Sequence, residues 1–66
     1  MPLNYYEKGI LNTLYNAARP LTTTQVATIQ GIAWATANKY LARLFENGYL
    51  EKRHEGNKTF WRLSTR

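Results

Sequence analysis

The sequence predicts an α+β domain in which a core of three helices is followed by a C-terminal β-hairpin, and three patterns support this prediction. Apolar residues recur at helical spacing over about 4–18 and about 33–47. Between these segments, residues 23–30 have the length of a short helix and stop before a glycine. Residues 49–63 contain two β-prone runs on either side of a polar turn, which is typical of paired strands. We therefore expect residues 1–66 to form one domain.

Helix one begins with a capping signal and ends ahead of a proline. Asn4 and Glu7 have the spacing of a variant capping box, in which each side chain accepts a hydrogen bond from the other residue's backbone N–H. Pro20 disfavours helical geometry at Arg19, so the helix should end near Ala18. Its expected apolar stripe consists of Ile10, Leu11, Leu14 and Tyr15.

Helix two is short and ends in a glycine turn. Thr22 and Gln25 form a second capping box, and Val26 and Ile29 are expected to face the core. Gly31 can adopt the positive φ that a tight reversal of the chain requires. Helices two and three should therefore be joined by a tight turn.

Helix three is expected to bury one face and to present a polar face opposite. Ile32 should fill the core just before the helix, and Gly48 should close it in the left-handed conformation. Ala33 stands at the capping position, where it cannot accept a bond from the free amides, at a cost of roughly 1 kcal/mol. The inward residues are Ala37, Leu41 and Leu44. The outer face carries Ala35, Thr36, Asn38, Lys39, Ala42 and Arg43.

The C-terminal hairpin is expected to have strands at 49–54 and 59–63. The turn between them contains Gly56 and Asn57, two residue types that tolerate unusual backbone angles. Because side chains alternate along a strand, Trp61 and Leu63 share one face, and Phe60 and Arg62 share the other. We expect the first pair to pack on the helices and the second pair to be partly exposed.

The charge of the chain points to a polyanionic partner. The net charge is +5 and the isoelectric point is near 9.9. From residue 33 onward there are seven Lys or Arg and three Glu, so this half carries +4 of the net charge. A basic surface gains free energy when phosphates displace its counterions, although a merely soluble surface is the simpler alternative.

The composition argues against several classes of protein. The chain has no cysteine, no aspartate, four glutamates and one histidine, His54, so a catalytic constellation, a metal site and a cofactor are not expected. No apolar run reaches the length of a membrane span, and the N-terminal residues lack the pattern of a signal peptide. We expect a soluble cytoplasmic protein associated with the nucleoid and no membrane contact.

The motif LTTTQVATIQGIAWATANKYLARLFENGYLEKR, followed by GNKTFWRL, resembles the winged helix-turn-helix superfamily of DNA-binding proteins. The resemblance is to the small MarR-like, ArsR-like and TrmB-like transcriptional regulators of bacteria and archaea, and it covers residues 10–63. In this family a short capped helix, a glycine turn, a recognition helix and a hairpin called the wing follow one another. The matching positions here are Thr22, Gly31, Leu41, Leu44, Gly48, Leu50 and the hairpin tip from Gly56 to Lys58.

The resemblance implies a site for double-stranded DNA along helix three and the hairpin. The start and outer face of helix three would enter the major groove, and Arg43 would reach either a base or a phosphate. The start of helix two is suited to phosphate because of its partial positive charge. The implied base-edge residues are Trp34, Ala35, Thr36, Asn38 and Lys39. The implied backbone contacts are Thr22, Thr23, Arg53, His54, Asn57 and Lys58.

The function expected from this resemblance is sequence-selective DNA binding by a transcriptional regulator that occludes a promoter. A homodimer on a two-fold site is expected because of the small size of the core. Ala33 departs from the usual Ser or Asn cap of the recognition helix. The chain also ends just past the hairpin, so no small-molecule effector site is expected.

Several alternatives remain open from the sequence. Trp34 would stack on DNA, lie flat against helix two, or mark a protein contact. Tyr5 and Tyr6 would cover the start of helix one or form half of a dimer interface. The main rival function is a winged helix that binds proteins in a transcription or replication assembly. RNA is a third candidate, although a narrow hairpin offers little surface for stacked bases.

Overall fold

Three helices and a three-stranded antiparallel sheet make up the fold of this protein. The structure is a computed structural model that describes residues 3–64. It confirms the expected α+β fold class. The elements follow one another as α1 (Tyr5–Ala17), β1 (Leu21–Thr22), α2 (Thr23–Gln30), α3 (Trp34–Glu46), β2 (Leu50–Glu55) and β3 (Lys58–Leu63).

The sheet has the order β1-β3-β2, so the hairpin of β2 and β3 is extended by a short edge strand. In β1, Leu21 lies opposite Trp61 and Thr22 opposite Phe60. β1 was not predicted from the sequence, because a strand of two residues has no alternating pattern to detect. At the hairpin turn, Gly56 has a φ of +59°. A positive φ at the first central residue alone is the pattern of a type II′ turn.

Both expected capping boxes are present. The Asn4 side chain accepts a hydrogen bond from the Glu7 N–H at 2.8 Å, and Glu7 accepts one from the Asn4 N–H at 2.9 Å. Thr22 and Gln25 exchange the same pair of bonds at the start of α2. Because these bonds satisfy amides that have no partner within the helix, the two helix starts are fixed by local sequence.

The three helices end in different ways. Ala18 follows α1 with a φ of +55°, a left-handed conformation that costs an alanine about 1 kcal/mol or more. Gly31 and Gly48 have φ values of +68° and +86° and reverse the chain after α2 and α3. After α3, the Tyr49 N–H donates to the Leu44 carbonyl at 2.9 Å. The glycine turns therefore occur where the sequence predicted them.

Two residues expected to face the core are exposed. Tyr15 is 73% exposed, because the buried face of α1 is formed by Glu7, Ile10 and Leu14. Ile29 is 58% exposed, because the buried residues of α2 fall at other helical positions. The expectation that Tyr15 and Ile29 pack in the core was therefore wrong.

The core lies between the three helices and one face of the sheet. Trp61 joins the two layers, since its indole Nε1 donates a hydrogen bond to Thr23 Oγ1 at 2.8 Å. As expected, Phe60 and Arg62 lie at least partly exposed on the other side of β3. The buried apolar residues are Ile10, Leu14, Leu21, Val26, Ala27, Ala37, Leu41, Leu44, Leu50 and Trp61.

The N-terminus of α3 has no side-chain cap, as the sequence predicted. Ala33 occupies the capping position with φ −64° and ψ 150°, the extended conformation that serine also adopts at such positions. We predict that Ala33→Ser raises the free energy of unfolding by about 0.5–2 kcal/mol, because the hydroxyl would accept a bond from a free amide of α3. Urea denaturation measures this change. Ala35→Ser inside the helix is the control and should not stabilise the protein.

Within residues 3–64, no helix combines the length and the apolar character that crossing a bilayer requires.

Candidate nucleic-acid interface

A groove of about 500 Å³ separates the hairpin tip from the starts of α2 and α3. One wall is the N-terminal turn of α2, the second is the first half of α3, and the third is the end of β3 nearest the turn. The groove is lined by Thr22, Thr23, Thr24, Gln25, Trp34, Asn38, Asn57, Lys58, Thr59 and Phe60. Six of these residues were expected at a DNA site from the sequence, and they come from three separate segments.

The hydrogen-bonding groups of the groove are suited to phosphate. The first N–H groups of α2 have no partner within the helix and carry partial positive charge. Asn57 and Lys58 are exposed at the hairpin tip. Among residues 3–64, Lys58 has no carboxylate within ion-pair distance, so its charge is available to an anion.

The Thr23 side chain is buried although the residue lines the groove. Thr23 is 5% exposed, and its hydroxyl accepts the hydrogen bond from Trp61 Nε1. The side chain therefore packs with the core at the inner edge of the groove, and its predicted phosphate contact stays a prediction. The adjacent Thr22 hydroxyl accepts from the Gln25 N–H at 3.1 Å, so it also acts mainly as a helix cap.

Trp34 stands at the first position of α3 and is 54% exposed. It lines the groove together with Phe60, which is half-buried. The indole is therefore not a core residue. A flat ring at this place offers a surface for a deoxyribose or for an apolar side chain of a protein.

The outer face of α3 has the small and polar character that the sequence predicted. Ala35 and Lys39 are exposed, whereas Thr36, Asn38 and Ala42 are half-buried. Asn38 lies toward the groove. Apart from Lys39, the central part of this face therefore presents small side chains.

A second group of candidate residues lies on the side of α3 that faces α1. Lys39 Nζ and Arg43 Cζ lie 5.4 and 5.7 Å from the centre of the Tyr40 ring. Tyr6 of α1 stacks on Tyr40 with ring centroids 5.4 Å apart, and Tyr5 contacts Tyr6 edge to face. We call Tyr5, Tyr6, Lys39, Tyr40 and Arg43 the tyrosine–cation cluster.

Arg43 has an ion-pair partner on another helix. Its Nε atom lies 3.8 Å from Oε2 of Glu7, whose side chain is 4% exposed. This partner was not predicted from the sequence, because a contact between α1 and α3 has no local signature. Arg43 is therefore held toward α1 and not toward the groove.

The charged residues of the hairpin are largely paired with one another. Arg53 pairs with Glu55 and Arg62 with Glu51, both at 2.7 Å. His54 Nδ1 lies 3.0 Å from the Thr59 hydroxyl. Arg53 and His54 do not line the groove themselves, although His54 contacts Thr59, which does, and Lys58 is the hairpin cation among the lining residues.

Lys52 is a further hairpin cation, outside the set of DNA contacts expected from the sequence. Its ammonium group lies 4.7 Å from the Phe45 ring and 5.6 Å from the Trp61 ring. Attraction between a cation and aromatic faces is worth about 0.5–1 kcal/mol at an exposed site. Lys52 therefore helps to fix the hairpin against the end of α3.

The described residues show no arrangement typical of a catalytic or metal centre. Within residues 3–64, no three His, Cys, Asp or Glu side chains are grouped closely enough to hold a metal ion. The groove offers amides, hydroxyls, one ammonium group and two aromatic rings, which can bind an anionic polymer but do not provide an acid and base pair.

Comparisons with known proteins identify the family and the fold of the chain. The profile of a family described as winged helix-turn-helix DNA-binding matches residues 3–51. No curated protein matches the sequence at a significant level. Among solved structures, the chain is similar to the homodimeric winged helix-turn-helix DNA-binding domain of a possible ArsR-family transcriptional regulator from Mycobacterium bovis. The two are 30% identical with a TM-score of 0.83, over 92% of this chain and 55% of that one.

Two further structures show how widely the fold is used. The PcaV transcriptional regulator from Streptomyces coelicolor is 24% identical with a TM-score of 0.87, over 96% of this chain and 46% of that one. Human N-acetylserotonin methyltransferase is 23% identical with a TM-score of 0.81, over 91% of this chain but 17% of the enzyme. The chain thus spans about half the length of the two bacterial proteins, and the same fold also forms part of an enzyme.

Proposed function

The chain belongs to the winged helix-turn-helix DNA-binding family, and from this premise we propose that it binds double-stranded DNA sequence-selectively through α3 and the adjoining groove. The observation that carries the proposal is the groove itself. It brings the amides of α2, the polar start of α3 and the Lys58 ammonium group of the hairpin tip to one surface. These are the groups that contact phosphates and base edges.

In the proposed complex, α3 lies in the major groove and the hairpin lies beside it. Thirteen residues give α3 a length of about 20 Å, which is sufficient to cross the groove. Asn38 would read a base edge, because its amide can donate to and accept from adenine at once. The start of α2 and Lys58 would hold a strand of the backbone on either side, so that α3 is fixed in register.

The proposed biological role is transcription regulation. A homodimer would place two copies of α3 on the two halves of a palindromic site, and occupancy of such a site would occlude a promoter. This role places the protein in the cytoplasm, on the nucleoid. The homodimeric Mycobacterium bovis domain supports the two-fold arrangement.

A protein-binding role is the second candidate, and one observation favours it. Trp34 and Phe60 present two aromatic rings to the same groove, and aromatic residues are enriched at the centres of protein interfaces. The two functions differ in their response to salt. DNA binding weakens steeply as salt rises because counterions are released, whereas a contact centred on aromatic side chains does not.

Lys58→Ala tests the proposal directly. We expect this variant to weaken binding to all duplex sequences alike and to lower the slope of log affinity against log salt by about one, because one phosphate contact is lost. Fluorescence anisotropy with a labelled generic duplex at several salt concentrations measures both quantities. Arg19→Ala is the matched control, since Arg19 is exposed beyond the end of α1 and does not line the groove.

The outcome of this experiment separates the two candidate functions. A lower slope of log affinity against log salt in Lys58→Ala, with no change in Arg19→Ala, supports a DNA interface at the groove. Equal slopes for both variants and the unchanged protein would place any DNA contact elsewhere. No binding at low salt by any of the three would favour the protein-binding role.

A further inference from the structure

The tyrosine–cation cluster leaves large aromatic side chains exposed to solvent, where they do not contribute to the core. Tyr5 is 87% exposed and Tyr6 is 43% exposed, although both lie in the first turn of α1. The stacking of Tyr6 on Tyr40 joins α1 to α3 and leaves a continuous aromatic edge at the surface. Each phenol group at such an edge can donate a hydrogen bond.

The charge around these rings is positive on the side that a partner would meet. Lys39 and Arg43 both lie over the Tyr40 ring. The carboxylate of Glu7 contacts Arg43, but its side chain is 4% exposed and also accepts the Asn4 N–H. Two cations and the phenol groups are thus presented together, while the neighbouring carboxylate is turned inward.

We infer that the tyrosine–cation cluster binds the sugar-phosphate backbone of duplex DNA beside the major groove that receives α3. This inference rests on the proposed function and extends its footprint to the side of α3 away from the hairpin. Lys39 lies on the outer face of α3 and is also part of the cluster, so the two surfaces are continuous. Arginine, lysine and tyrosine side chains are regular donors to phosphate oxygens.

The position of Arg43 supports a backbone contact more than a base contact. The ion pair with Glu7 and the Tyr40 ring hold its guanidinium toward α1. A base-edge reader must instead project from the outer face of the helix into the groove floor. Arg43 therefore contributes affinity for any duplex and does not select a sequence.

Photocrosslinking from position 5 tests this inference. A photoreactive phenylalanine analogue replaces Tyr5 in one preparation and Tyr15 in the other, and each protein is irradiated with a labelled generic duplex at low salt. Both tyrosines are exposed on α1, but Tyr15 lies by Tyr49 and Leu63 at the opposite end of the helix. We expect crosslinks to DNA from position 5 and none from position 15. Tyr5→Ala should weaken duplex binding about 3- to 10-fold, as loss of one hydrogen bond predicts, and Tyr15→Ala should not.

The possible contrary results are distinct from failure of the proposed function. Crosslinks from position 5 to a second copy of the chain, with none to DNA, would make the cluster a protein interface and overturn the inference. Equal DNA crosslinking from positions 5 and 15, or none from either, would also overturn it. In each case, a lower slope of log affinity against log salt in Lys58→Ala would still support DNA binding at the groove. The two proposals are therefore tested independently.

Discussion

Trp61→Ala is expected to lower the free energy of unfolding by about 3–5 kcal/mol, which is the usual cost of removing a large buried aromatic side chain. A core of this size supplies only about 3–5 kcal/mol of net stability, so most molecules should be unfolded at physiological temperature. Trp61 is 2% exposed and packs edge to face against Phe45, with ring centroids 6.3 Å apart. The substitution removes this contact and leaves the buried Thr23 hydroxyl without its donor.

The second tryptophan provides the control for this prediction. Trp34 is 54% exposed, and Trp34→Ala should change stability by no more than about 0.5 kcal/mol. Circular dichroism during thermal and urea unfolding measures both variants. Equal unfolding midpoints for Trp61→Ala and Trp34→Ala, in temperature and in urea, would show that the Trp61 indole does not join the sheet to α2.

Asn38→Glu should reduce DNA affinity by at least about 100-fold. The substitution places a carboxylate in the groove that is proposed to face phosphates, and like charges brought together at an interface cost several kcal/mol. It also removes the amide that is proposed to read a base edge. Anisotropy with the preferred duplex, once selected from a random pool, measures the loss.

Asn16→Glu makes the same change of charge away from the groove. Asn16 is exposed near the end of α1, so this variant should lose only the small affinity that one unit of net charge contributes at a distance. Similar losses in Asn38→Glu and Asn16→Glu would mean that overall charge, and not the groove, determines binding.

The fold was largely predictable because its boundaries are set by local chemistry. The capping boxes at Asn4 and Thr22 and the positive-φ turns at Gly31 and Gly48 depend on residues within a few positions of one another. Such signals can be read from a sequence without knowledge of tertiary contacts. The edge strand at Leu21 has no such signal, since it is defined only by its pairing with β3.

Two side chains of the candidate site have partners that the sequence does not reveal. Thr23 reads as a surface hydroxyl, yet a tryptophan 38 residues away makes it a core hydrogen-bond acceptor. Arg43 reads as a free cation on a helix face, yet Glu7 of another helix holds it. Residue type and spacing therefore predict a surface, but contacts between distant elements decide which side chains are available on it.

An amide NMR titration of labelled protein with duplex DNA at two salt concentrations tests the central claim most directly. The claim is that the groove between α2, α3 and the hairpin receives the duplex. It predicts salt-sensitive shifts at residues 22–25, 34–43 and 54–58, with little change at the end of α1. An absence of shifts at low salt, or shifts confined to the surface around Tyr15 and Tyr49, would contradict it.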